Sequence, residues 1–91
     1  MTDKWEVRIG GMRLSGDTFK TWEAAKERVW HELNRRAFDL SRKGEVLAAE
    51  QVRRDTSTFQ AEYARAAKQC PRPNMAVNTY GFRVELNRIP W

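Results

Sequence analysis

Cysteine and histidine are almost missing from this chain, and long apolar runs are missing altogether. Cys70 is the one thiol in 91 residues. It cannot form an internal disulfide, and no second thiol is present to share a metal. Ahead of Pro71 at the end of a helical pattern, it lacks the electropositive setting that activates a thiol. His31 is the one imidazole. It lies mid-helix between Trp30 and Glu32, with no Ser, Cys or Asp at motif spacing, and reads as a partly exposed helix residue. Metal-ligand spacing is absent throughout. No stretch approaches the roughly 20 apolar residues that cross a bilayer. Met1-Thr2-Asp3-Lys4 leads straight into a patterned strand, so no signal peptide is expected. With three prolines and five glycines, the chain has no low-complexity segment. These absences exclude most enzymatic chemistry and predict a cytoplasmic, soluble, non-enzymatic protein with no cofactor. The length allows one domain, 1–91, that buries about 60–65% of its unfolded surface.

Charge is abundant but dispersed. Lys and Arg number 17 against 12 Asp and Glu, a net charge of +5. Residues 1–44 hold 10 basic and 7 acidic groups and residues 45–91 hold 7 and 5, so the excess is +3 and +2. No basic tail is present. The balance permits an anionic partner, and any contact must come from the fold rather than from a disordered arm.

The first patterned segment is a β-hairpin, predicted over 4–16. Trp5, Val7 and Ile9 alternate with Glu6 and Arg8, a period of two. Gly10-Gly11 suits the positive φ angles of a tight two-residue turn. That turn sets Ile9 opposite Met12, Arg8 opposite Arg13, Val7 opposite Leu14 and Glu6 opposite Ser15. Gly16-Asp17 ends the strand or introduces a bulge, and Phe19 is expected to pack back on the hairpin.

A helix is predicted over 21–43. Thr21 is the N-cap and Glu23 complements the positive end of the dipole. Trp22, Ala25, Val29, Leu33, Ala37 and Leu40 recur at steps of three and four, so one face is apolar. Gly44 suits the residue after the helix. A second helix is predicted over 45–69 on the seam Ala49, Val52, Thr56, Phe59, Tyr63, Ala66 and Cys70. Ser57 with Gln60 resembles a capping box, so a break near 55–57 is the alternative. Two helices across one glycine make an antiparallel αα-hairpin. Pro71 and Pro73 stop the second helix. Tyr80, Phe82, Val84 and Leu86 alternate with polar residues in a strand region over 75–89, as one strand or as two joined at Asn78–Gly81. The predicted class is α+β, order ββαα(β)β: an antiparallel sheet packed against a helical hairpin. Glu6 and Arg8 are expected across from Arg83 and Glu85 on its outer face.

Two surfaces remain for function. The first is the outer face of the hairpin, where Lys4, Arg8 and Arg13 lie with Lys20 close in sequence. Opposed arginines repel unless an acidic neighbour or a bound anion compensates, and a β-ribbon is narrow enough for a major groove. The second is aromatic. Four tryptophans exceed the needs of a small core. Trp5 and Trp22 read as structural, whereas Trp30 and Phe38 lie off the apolar stripe and form a candidate protein or homodimer contact. Trp91 is left open.

Residues Trp5–Arg13, Thr18-Phe19-Lys20-Thr21 and Glu23-Ala24-Ala25 resemble the AP2-like domain at the N-terminus of phage-type tyrosine integrases. The resemblance spans residues 4–35. It implies a sheet that docks on arm-site DNA, with Arg8, Arg13 and Lys20 at the matching basic positions. The family has a further strand before the helix and a recombinase domain behind it, and neither is present in this pattern. The combined expectation is an accessory protein of phage or mobile-element type that contacts duplex DNA through the hairpin. The alternative is a protein-interaction module, an inhibitor, adaptor or homodimer, that uses the aromatic helix surface.

Overall fold

The structure, a computed structural model, describes residues 4–10 and 12–89, with residues 12–17 described by backbone alone. The predicted alternation produces β1 (Lys4–Ile9) and β2 (Met12–Phe19). The helical patterns produce α1 (Trp22–Arg42) and α2 (Val46–Ala66), and the C-terminal pattern gives β3 (Met75–Thr79) and β4 (Phe82–Ile89). The class is α+β, order ββααββ. The strands form one antiparallel sheet in the order β2-β1-β4-β3. Thus β1 pairs with the chain's last strand as well as with its own hairpin partner, which closes the molecule end to end.

The hairpin register departs from expectation beyond its second pair. Ile9 faces Met12 and Arg8 faces Arg13 as predicted, but Glu6 faces Thr18 and Trp5 faces Phe19. Two residue steps on β1, Glu6 to Arg8, therefore span five on β2, Arg13 to Thr18. The predicted pairs Val7–Leu14 and Glu6–Ser15 do not form. The irregularity includes Gly16-Asp17, where a ladder accommodates extra residues most cheaply. In consequence β2 continues to Phe19, three residues past the predicted end of the hairpin.

Thr21 caps α1 as its sequence suggests: the backbone N–H of Ala24 donates to Thr21 Oγ1 at 3.1 Å. Gly44, at φ 82, turns the chain between the helices. The second helix runs unbroken through Asp55–Thr58. The hydroxyls of Thr56 and Thr58 donate to the carbonyls of Val52 and Arg54 at 2.7 and 3.2 Å. They satisfy themselves inside the helix, so the Ser57–Gln60 pattern starts nothing. The helix stops at Ala66, short of the predicted 69, and Cys70 at the end of the seam is exposed. β3 and β4 are separate strands joined by Tyr80-Gly81, both with positive φ (45 and 71), as a two-residue hairpin turn requires.

One face of the sheet is the floor of the main core. Trp5, Val7, Val84 and Leu86 are buried there against Trp22, Ala25, Val29 and Leu33 of α1 and Phe59 and Ala66 of α2, with Phe19, Met75 and Val77 partly buried beside them. A second, smaller cluster of Ala37, Leu40, Ala48, Ala49 and Val52 belongs to the helices alone. Among the described residues, the buried cluster at the far end of the helical hairpin is made by its own two helices, and the molecule is long, 47 × 28 × 17 Å.

The near end is secured by a stack of four side chains. Trp22 and Tyr63 lie ring on ring, 4.1 Å apart and within 9° of parallel. Lys26 caps Tyr63 at 4.7 Å and Arg72 caps Trp22 at 5.4 Å. The indole N–H of Trp22 donates to the carbonyl of Pro73 at 3.2 Å, which ties the α2–β3 connection to α1. A stacked aromatic pair adds about 0.5–1.5 kcal/mol beyond its burial.

Candidate functional site

Strand alternation sends Trp5, Val7 and Ile9 to the core, so Lys4, Glu6 and Arg8 point to the other face. On β4 the same rule places Arg83, Glu85 and Asn87 there. The register sets Arg8 opposite Glu85 and Glu6 opposite Asn87, while Gly10 donates its N–H to the carbonyl of Arg83 at 2.9 Å. The expected acid–base compensation across the strands thus forms at Arg8–Glu85, while Glu6 faces Asn87 instead of Arg83. Among the described residues, no helix packs on this face.

Arg8 sits between two influences. Its backbone register places it directly opposite Arg13, whose side chain lies outside the described residues. On its own strand it is clamped by Glu6: Nε donates to both carboxylate oxygens, at 3.1 and 3.2 Å. Glu6 is itself buried, which makes this ion pair firmer than a solvated one. Arg83 has a looser setting, 3.3 Å from Glu85 and 3.2 Å from Asn78 Oδ1. Among the side chains described, this face carries Lys4, Arg8 and Arg83 with Glu6 and Glu85.

The four predicted basic residues fall into two pairs. Arg8 and Arg13 lie beside the Gly10 turn. Lys4 and Lys20 lie at the opposite end, just past the Trp5–Phe19 pair, about 13 Å away along β1. Lys20 is exposed beyond the end of β2. Arg83 stands beside the hairpin on the outer face, as the alternation of the two strands leads one to expect, although it is not among the four candidate contacts.

The aromatic candidates lie on the far side of the molecule. Trp30 is 42% exposed and Phe38 60% exposed. They are two helical turns apart on α1, about 12 Å, with the exposed Asn34 between them. Trp30 lines a shallow depression with Lys26, Glu27 and Gln60. The guanidinium of Arg42 lies 5.8 Å from the ring centre of Phe38. Val46 and Leu47, 54% and 80% exposed, extend the apolar surface at the tip of the helical hairpin. The sequence reading missed these two because α2 begins there and a first turn shows no periodicity. Trp91 lies outside the described residues.

Tyr63 has a displaced titration. Burial raises its phenol above the ordinary 10.0 and Glu23 raises it further, against an opposing pull from Arg72. His31 and Cys70 are both exposed. Among the described residues, no group of three or more His, Cys, Asp or Glu side chains is placed to hold a metal ion, and no helix is long and apolar enough to cross a membrane. No protein-family model, curated protein or solved structure significantly matches the chain.

Proposed function

We propose that this protein is a non-enzymatic accessory protein that binds duplex DNA through the outer face of its sheet. The observation that carries the reading is the sheet face that no described helix covers, where Arg8 and Arg13 stand in register beside the Gly10 turn. Two guanidinium-bearing residues at directly opposed positions gain most when an anion sits between them, and a DNA phosphate supplies one at every step of the backbone. The Glu6 clamp fixes the direction of Arg8, so less side-chain freedom is lost on contact. The resemblance of residues 4–35 to the arm-binding domain of phage-type integrases favours the same surface. Here β4, rather than a third strand ahead of the helix, occupies the free edge of β1.

Backbone amide shifts during titration with a short duplex test the reading. The expected result is perturbation concentrated on Lys4–Ile9, the Gly10 turn and Arg83–Asn87. Perturbation concentrated on α1 and α2, or none at low salt, would refute it.

A further inference from the structure

We propose that the two carboxylates of the sheet face act in opposite senses on its contact with phosphate, an inference that rests on the reading of this face as a DNA contact. Glu6 is a positioning residue that readies Arg8, whereas Glu85 holds Arg83 back.

Any carboxylate on a face that meets a polyanion is adverse by sign alone. Depth and geometry change that result for Glu6. β1 is an interior strand, with β2 on one side and β4 on the other. Glu6 therefore stands between Thr18 and Asn87, and its side chain is 9% exposed against 37% for Arg8. A phosphate that approaches this pair reaches the guanidinium before the carboxylate. The bond is made at the inner nitrogen of the fork, where Arg8 Nε donates to both oxygens, at 3.1 and 3.2 Å. A planar guanidinium held at Nε has the edge formed by its terminal nitrogens turned away from the acid. Arginine has much rotamer freedom to lose. The clamp removes part of it on folding, so phosphate contact has less left to remove.

Arg83 is held in the other way. Its terminal nitrogens make the bonds, one to Asn78 Oδ1 at 3.2 Å and one to Glu85 at 3.3 Å. Those are the atoms that a bidentate phosphate contact uses, so here the acid competes with the phosphate. Glu85 is also shallower than Glu6, 24% exposed beside an Arg83 side chain that is 48% exposed, and its charge meets the phosphate sooner.

Fluorescence anisotropy with a short duplex at about 100 mM salt tests the contrast. Glu6→Leu and Glu85→Gln each remove one negative charge from the same face, so sign alone predicts a gain from both. The expected results are a loss of about threefold to tenfold for Glu6→Leu and a gain of about threefold for Glu85→Gln. In an Arg8→Gln background Glu6→Leu should cause no loss, because no guanidinium is left to position. Glu6→Gln keeps the side-chain shape and one acceptor. It should fall between Glu6→Leu and the native chain, and it decides the case if circular dichroism shows the leucine variant unfolded. A gain or a loss shared by both carboxylate variants would overturn the proposal and leave the sheet reading intact. So would a loss from Glu6→Leu of the same size with and without Arg8. A native chain that binds no duplex, or an affinity unchanged in Arg8→Gln and in Arg83→Gln, would refute the sheet reading and this proposal with it.

Discussion

Trp22 joins three parts of the chain: it stacks on Tyr63 of α2, donates to Pro73 and is buried against the sheet. Replacing it removes all three contacts at once. Trp22→Ala should cost about 3–5 kcal/mol in urea denaturation. Loss of the Thr21 hydroxyl should cost only about 1 kcal/mol, because one N–H at the start of α1 loses its partner. The stack also sets a pH dependence. The fold favours the neutral phenol of Tyr63, whose ionisation is raised above 10.0 by burial and by Glu23. The corresponding stability is present below pH 10 and is lost as pH rises through the raised value. Urea melts should therefore show the native chain losing stability relative to Tyr63→Phe between about pH 9 and pH 12. At this scale the sequence was readable where burial follows the helical period, as at Trp22, Val29 and Leu33. It was silent about Pro73 as a hydrogen-bond partner, because that contact crosses 51 residues and depends on how two elements dock.

Among the elements, the two hairpins differ in how well their sequences suit their turns. Tyr80 holds φ 45 in a turn that favours Asn or Gly at that place. Tyr80→Asn should raise stability by about 1 kcal/mol, since a non-glycine residue in the left-handed region is strained and Asn tolerates it best. Local packing predicts a gradient along the helices as well. The outer cluster of Ala37, Leu40, Ala48, Ala49 and Val52 has no sheet beneath it. Amide exchange should be faster around Phe38–Val52 than around Ala25–Leu33 and Phe59–Ala66, because the outer end can open without disturbing the main core. Both helices and strands β1 and β4 left clear periodic marks in the sequence, β3 reads there equally as a strand of its own or as the start of β4, and α2 kept its phase across Asp55–Thr58. The irregularity in β2 left only a breaker pair, Gly16-Asp17. Alternation from Met12 to Ser15 satisfies the simple register equally well, so nothing local decides against it; the Trp5–Phe19 pairing does.

On the scale of the molecule, the sheet divides the surface. One side is covered by helices whose own outer surface shows Trp30 and Phe38, and the other carries the hairpin cations. The net charge of +5 is spread through the chain, yet the fold gathers Lys4, Arg8 and Arg83 on one face and sets the Arg13 backbone opposite Arg8. Three of these were legible as candidates from the hairpin pattern. Arg83 joins them through the β1–β4 pairing, which the alternation at both ends of the chain suggests, although its charge reads there as compensation for Glu6 and not as a DNA contact. The central claim is that this face binds duplex DNA by displacing counterions. Its most direct test is fluorescence anisotropy on a 20-base-pair duplex, with affinity followed against salt. If three to four cations engage, affinity should fall roughly 40- to 150-fold between about 50 and 200 mM salt, and Arg8→Gln with Arg13→Gln should flatten the log–log slope by about 2. A native affinity insensitive to salt, or a slope identical in the double variant, would contradict it.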